Sequence, residues 1–166
     1  DVNWVHSIEE VDSARMAVAT VNGFCIVEKN TSNIHRYATT RDFNNMNVSA
    51  YIVSMLFNDD GTVWLGTEGG GLNLYDINSG NVKTLTKKEG MLSDDIYSLQ
   101  RDGKGRVWAS TGNGLAVVNG FKVSNLNYIH DTYKTYNKSA CISLSDGRFA
   151  YGSTRGAVFV TPDALA

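Results

Sequence analysis

Apolar residues fall in short runs along this chain, separated by clusters of Gly, Asp and Asn. No window carries a sustained apolar stripe at helical spacing, so the pattern predicts β-strands joined by tight turns. Two segments are near copies of each other. Gly61-Thr-Val-Trp-Leu-Gly-Thr67, followed by Gly-Gly-Leu72, recurs 44 residues on as Gly105-Arg-Val-Trp-Ala-Ser-Thr111, followed by Asn-Gly-Leu115. Weaker copies are Gly147-Arg-Phe-Ala-Tyr-Gly-Ser153 and Ala14-Arg-Met-Ala-Val-Ala-Thr20. Internal periodicity of this length is the mark of a repeat architecture.

The match extends upstream. Ile96 and Leu99 precede Trp108 at the spacing at which Ile52 and Met55 precede Trp64, and Val5 and Ile8 precede Ala17. Asp60-Gly61, Asp102-Gly103 and Asp146-Gly147 read as hairpin turns between these runs. The second unit divides into strands near Tyr51–Phe57, Thr62–Thr67, Leu72–Ile77 and Val82–Thr86. The third divides near Ile96–Arg101, Arg106–Thr111, Leu115–Asn119 and Lys122–Asn127. Four antiparallel strands per 42 to 47 residues predict a β-propeller blade. Val63-Trp64-Leu65 and Ala116-Val117-Val118 are apolar on both faces, as a sheet needs when it is sandwiched between two others. Trp64 and Trp108 are expected between blades, each burying on the order of 200 Å².

The predicted fold is therefore all-β, with blades near residues 4–48, 49–92, 93–136 and 137–166. The last unit shows three strands, ending at Ala157-Val-Phe-Val-Thr161. That gives about 3.75 blades, and the expectation is a piece of a larger ring, for example one of seven blades. Such a piece exposes an apolar face at each end, and self-association through those faces is expected.

Composition narrows the function. The chain has 166 residues, 42% hydrophobic and 19% charged, with 15 Lys and Arg against 17 Asp and Glu. A net charge of −2 argues against a nucleic-acid partner, since there is no cationic surplus to displace counterions. No apolar run is long enough to span a membrane. Two cysteines are too few for a disulfide scaffold, and Cys25 and Cys141, three units apart, are expected as free thiols. A bond between them would signal a closed four-bladed ring. Asp1-Val2-Asn3-Trp4 carries no signal-peptide pattern.

Asp60-Gly-Thr-Val-Trp-Leu-Gly-Thr-Glu-Gly-Gly-Gly-Leu-Asn-Leu-Tyr-Asp76 and Asp102-Gly-Lys-Gly-Arg-Val-Trp-Ala-Ser-Thr-Gly-Asn-Gly-Leu115 resemble the two-component regulator propeller repeat. Gly90-Met-Leu-Ser-Asp-Asp-Ile96 resembles that family's lead into a new blade. The similarity is close over residues 50–120 and loose at both ends, where Ala17 and Ala150 stand at the Trp position. The resemblance implies the periplasmic or extracellular sensor region of a membrane-anchored hybrid histidine kinase of Bacteroides type. It also implies a glycan fragment as input, with phosphotransfer performed outside this segment.

Few residues point to chemistry of their own. Gly66-Thr-Glu-Gly-Gly-Gly71 is followed by a strand rather than a helix, so it reads as a turn and not a phosphate cradle. Asn58-Asp59-Asp60 lacks the spacing of a calcium loop. His6, His35 and His130 stand apart from any metal-ligand spacing, and no metal or cofactor is expected. Asn30, Asn47 and Asn137 begin glycosylation triplets, which carry meaning only in a eukaryotic secreted protein.

Two long connectors between blades are the candidate ligand-binding segments. One carries Tyr37, Arg41 and Phe43; the other carries Tyr128, His130, Asp131, Tyr133 and Tyr136. Aromatic rings among Asn, Asp and Arg suit an oligosaccharide ligand, although such residues also pack on blade rims. The leading expectation is a non-catalytic sensor segment. The alternatives are a protein-interaction propeller and, less favoured, a propeller lyase or hydrolase.

Overall fold

The structure is a computed structural model, and it describes residues 4–39, 49–126 and 135–164. Four antiparallel sheets stand around a common axis. The first holds β1 (Val5–Glu10), β2 (Arg15–Thr20), β3 (Gly23–Glu28) and β4 (Ile34–Tyr37) in sequence order. The second holds β5 (Ile52–Phe57), β6 (Thr62–Thr67), β7 (Leu72–Asp76) and β8 (Val82–Leu85). The third holds β9 (Ile96–Arg101), β10 (Val107–Thr111), β11 (Gly114–Asn119) and β12 (Lys122–Leu126). The fourth has three strands among the described residues, β13 (Tyr136–Ser143), β14 (Phe149–Ser153) and β15 (Gly156–Val160). This is the propeller arrangement the repeat predicts, with the first strand of each blade nearest the axis.

Because both faces of each second strand are apolar, neighbouring blades bury them against each other. Three cores result. Ala17, Phe24, Ile26, Ile52, Leu65 and Tyr75 join blades one and two. Trp64, Leu72, Ile96, Leu99, Val107 and Val118 join blades two and three. Trp108, Leu115, Tyr136, Phe149, Tyr151 and Val160 join blades three and four. Trp64 is 5% exposed and Trp108 is fully buried, so both tryptophans lie between blades. At Ala17 and Ala150 the same position carries a methyl group.

The turn joining the first and second strands of each blade is closed by an aspartate that accepts backbone N–H groups. Asp60 accepts from Thr62 (3.0 Å), Asp102 from Lys104 and Arg106 (2.9 Å each) and Asp146 from Arg148 (3.1 Å). In the first blade, which lacks the Asp-Gly pair, Asp12 does the same work, accepting from Ala14 (2.9 Å) and Arg15 (2.8 Å). Side chains here compete with water for the turn's orphan amides. The fourth strand of the second blade stops at Leu85 because Thr86 leaves the sheet to cap a short 3-10 turn. Glu89 reaches back to the Thr86 N–H at 2.8 Å, and Gly90 ends the turn at φ 102°.

One buried charge network fastens the third blade to the fourth. Asp102 Oδ2 accepts from Arg106 Nε (2.6 Å) and from Trp108 Nε1 (2.8 Å), and Arg106 Nη2 donates to the Pro162 carbonyl (2.8 Å). The two side chains are almost wholly shielded from water. Donation from Trp108 and Arg106 outweighs the opposing effect of burial and holds the Asp102 carboxyl below its ordinary value. Cys25, in β3, and Cys141, in β13, are free thiols, and burial pushes the Cys141 thiol up.

Replacing Asp102 with Asn removes the buried carboxylate that accepts from both Arg106 Nε and Trp108 Nε1. Urea unfolding at pH 7 should show a loss of about 3 kcal/mol. A carboxyl whose folded value is depressed stabilises the fold above its unfolded value near 3.8 and loses that contribution as the pH falls further. The wild type should therefore lose stability more steeply than D102N below pH 4, which parallel melts across that range would measure.

Candidate functional site

One end of the ring is built by the same turn in every blade. At the end of each second strand a hydroxyl donates to the carbonyl of the glycine that starts or precedes the third. The pairs are Thr20 to Gly23 (2.8 Å), Thr67 to Gly71 (2.7 Å), Thr111 to Gly114 (2.9 Å) and Ser153 to Gly156 (3.0 Å). Gly71 sits at φ 75°, and a Cβ there would lie 2.4 Å from the Leu85 carbonyl, so turn and space both demand glycine. In blades two, three and four the turn is also tied to the start of the first strand. Glu68 N–H donates to Tyr51 O (3.0 Å), Gly112 N–H to Asp95 O (3.0 Å) and Thr154 N–H to Thr135 O (3.2 Å). The turns and the starts of the inner strands thus form one rigid rim, and the residues they carry converge on the axis.

The fourth blade departs from regular pairing there. Residues 137–140 of β13 stand opposite Gly152 alone, between the pairs Tyr136↔Ser153 and Cys141↔Tyr151. This bulge pushes Lys138 and Ser139 inward. Ser139 takes φ 54°, a left-handed conformation unusual outside glycine, and a Cβ on Gly152 would meet the Ala140 Cβ at 2.9 Å. Ser139 Oγ then lies 3.4 Å from His6 O and 3.5 Å from Val53 O, across the axis in blades one and two.

Around the bulge, side chains from all four blades gather. The His6 and Tyr51 rings lie 4.7 Å apart between centroids. Lys138 Nζ stands 5.4 Å from the Tyr51 ring centre and pairs with Glu68 Oε2 at 2.7 Å. Asp95 accepts from the Gly69 N–H at 2.8 Å. Burial lowers the His6 imidazole from its usual value, and the Lys138 charge lowers it further. The hydrogen bond to Glu68 raises Lys138. Burial, followed by the Asp95 charge, raises the Tyr97 phenol. His6 Nε2 is shielded from water and has no hydrogen-bond partner among the described residues. The cluster offers a ring face on Tyr51, an acceptor on Glu68, donors on Lys138 and Ser139, and one unused imidazole nitrogen. The Lys138–Glu68 pair is about half exposed, so it holds the two groups only weakly and leaves them able to turn toward a ligand.

The connector residues expected from sequence fare differently. Tyr37 is half-buried and stacks on Phe24 at 5.3 Å. Tyr136 opens β13 instead of lying in the connector. It is buried in the third core 5.9 Å from the Tyr151 ring, and burial pushes its phenol up to about 12. Arg41, Phe43, Tyr128, His130, Asp131 and Tyr133 lie outside the described residues. His6, Tyr51, Glu68 and Lys138 were missed. Stacking the four repeats would have found Tyr51 and Glu68, which precede a first strand and follow a second. Lys138 depends on the bulge, which no spacing reveals.

At the other end of the ring a cleft of about 450 Å³ opens between blades one and two, with Ile26, Met55 and Ile77 in its wall and Glu9, Arg15 and Asp59 around them. Arg15 is already paired with Asp12 at 2.7 Å. Among the described residues no group of three or more His, Cys, Asp or Glu is placed to hold a metal ion. Among the described residues no helix is long and apolar enough to cross a membrane.

The sequence model of the family described as "Two component regulator propeller" matches residues 90–113, which run from the cap of the 3-10 turn through the buried Trp108 strand. Residues 90–113 match one two component regulator propeller repeat. None of the curated proteins matches the chain in sequence. Among solved structures, this chain is similar to the extracellular domain of BT3049 from B. thetaiotaomicron, described as part of a putative hybrid two component system. The two share 20% identity at a TM-score of 0.69, over 96% of this chain and 28% of that one. The extracellular domain of BT4673 from the same organism matches at 16% identity and a TM-score of 0.75, over 96% of this chain and 21% of that one. A catalytically inactive virginiamycin B lyase from Staphylococcus aureus matches at 14% identity and a TM-score of 0.67, over 95% of this chain and 55% of that one. The chain spans about a quarter of the length of the two Bacteroides domains. At these identities the likeness is one of fold, and the fold serves extracellular domains of two component systems and a lyase alike.

The lowered imidazole can be measured directly. An NMR pH titration should place the His6 midpoint below 6.5. Lys138→Met, which removes a neighbouring positive charge, should move it upward. Stability linked to this group is complete above the unfolded value and is lost as the pH falls through the depressed folded one.

Proposed function

We propose that this chain is a recognition segment of an extracellular sensor, that it binds a glycan fragment at the axial rim, and that it passes occupancy to a kinase carried elsewhere in the signalling protein. It performs no catalysis of its own, and it works on the outer side of a bacterial inner membrane. The observation that carries the proposal is the convergence of Tyr51, His6, Glu68, Lys138 and Ser139 on one end of a propeller whose repeat is that of two component regulators. The naming of two structural relatives as extracellular domains supports the location.

The chemistry suits a sugar. A phenol ring presents a flat apolar face with a polar edge, against which the C–H face of a pyranose packs. A carboxylate and an ammonium at its margin pair with neighbouring hydroxyls, and bonds to charged groups are the stronger kind. A rim held by four repeated turns is pre-organised, so little ordering opposes binding. Ligand bound across strands from several blades favours one arrangement of those blades over another, which is how occupancy becomes a signal.

Calorimetry against a panel of neutral and acidic oligosaccharides tests this. At least one should bind, and Tyr51→Ala and Glu68→Ala should each weaken it by roughly tenfold or more, equivalent to about 1.4 kcal/mol. Circular dichroism should be unchanged in both variants. Failure of the whole panel, or binding indifferent to both substitutions, would contradict the proposal.

A further inference from the structure

The cleft between blades one and two lies where the next two junctions each hold an indole. Strand register sets the correspondence. Glu9, Ala17 and Ile26 stand side by side across blade one, as Leu56, Trp64 and Leu74 do across blade two and Gln100, Trp108 and Val117 across blade three. In blades two and three the tryptophan fills the space before the following blade. The ring reaches toward two turns. Trp108 Nε1 donates to Asp102, in the turn after the first strand of its own blade, and the Trp64 ring lies 5.7 Å from Phe121, in the turn after the third strand of the next blade. At the first junction the matching turns carry Arg15 on one side and Ile77 and Asn78 on the other, and all three line the cleft. Ala17 puts only a methyl group there, so the room stays open.

Arg15 points the same way. It holds the place of Arg106, whose guanidinium lies 5.8 Å from the Trp108 ring centre, and each arginine is paired with the aspartate of its own turn. Arg15 thus keeps the cation of a cation–ring pair without a tryptophan of its own strand to cover. A flat aromatic group in the cleft would supply the ring. Ile26 and Met55, 4% and 3% exposed, give it an apolar wall on either blade. At about 450 Å³ the cleft has the size of a small-molecule pocket.

Charge decides what else the occupant carries. Asp12 already neutralises Arg15, and Lys29 holds Glu10. Glu9 stands where blades two and three have Leu56 and Gln100. It accepts from Ser7 Oγ at 3.1 Å, and neither it nor Asp59 has a cationic partner among the described residues. Two carboxylates beside an apolar slot are complementary to an ammonium on a short stem.

We propose that this cleft is the vacated place of a repeat tryptophan and that it binds a small molecule with a flat aromatic ring of about indole size and a cationic amine. The site goes beyond the reading of the axial rim and does not rest on it.

Calorimetry with tryptamine, indole and indole-3-acetate tests the proposal. Tryptamine should bind most tightly and indole-3-acetate most weakly. Ala17→Trp, which restores the repeat residue, should raise the urea midpoint and weaken tryptamine by about tenfold or more. Ile77→Trp fills the same space from blade two and should weaken it likewise, which decides the matter if Ala17→Trp fails to fold. Glu9→Gln should weaken tryptamine by about threefold and leave indole unchanged. In methyl NMR, tryptamine should shift the Met55 signal and leave that of Met91, in the next junction, in place. No binding of any of the three compounds would overturn the proposal. So would binding undiminished by the tryptophan variants, a preference for indole-3-acetate, or a Met55 signal that does not move.

Discussion

Burial of both faces of a four-stranded sheet is the constraint on which this molecule depends. A blade such as β5–β8 is apolar on either side, so by itself it would expose Leu65 to water on one face and Trp64 on the other. Only another sheet laid against each face removes that cost, and a right-handed twist turns a stack of such sheets into a fan around an axis. The Asp-capped and hydroxyl-capped turns follow from this. They keep the connections short enough for neighbouring faces to stay in register. The buried Asp102, tied to Arg106 and Trp108, is the point at which a turn, a core side chain and the adjacent blade become one unit.

The axial rim is a by-product of the same geometry. Because each blade contributes its inner strand and one turn to a common end, four separated stretches of sequence meet there without any connecting motif. The bulge in β13 then brings Lys138 and Ser139 across to Glu68 and His6. It is tolerated because Gly152 has no side chain to oppose it. Ser139 in a left-handed conformation and a shielded His6 nitrogen without a partner among the described residues are features that packing alone does not require.

Much of the fold was legible in the sequence because the Trp64 and Trp108 repeats carry both the strand period and the turn glycines at a constant offset. The first blade was harder, since Asp12 closes its turn without a following glycine and Ala17 replaces the tryptophan. The site was less legible. Sequence reasoning favours aromatic residues in long connectors, yet Tyr136 belongs to a buried core and Tyr37 packs on Phe24. The axial residues are scattered from His6 to Ser139, and only the ring, together with an irregularity in one strand, brings them together.

Accessibility of the three tryptophans to a polar quencher tests the central claim most directly. With blade packed on blade, Trp64 and Trp108 are shielded and Trp4, 66% exposed, is open. Iodide should therefore quench only the Trp4 part of the emission, and Trp4→Phe should abolish that accessible fraction while leaving the protected one. Quenching of all three tryptophans in the folded protein would show that the blades do not lean on each other, and the account would fall.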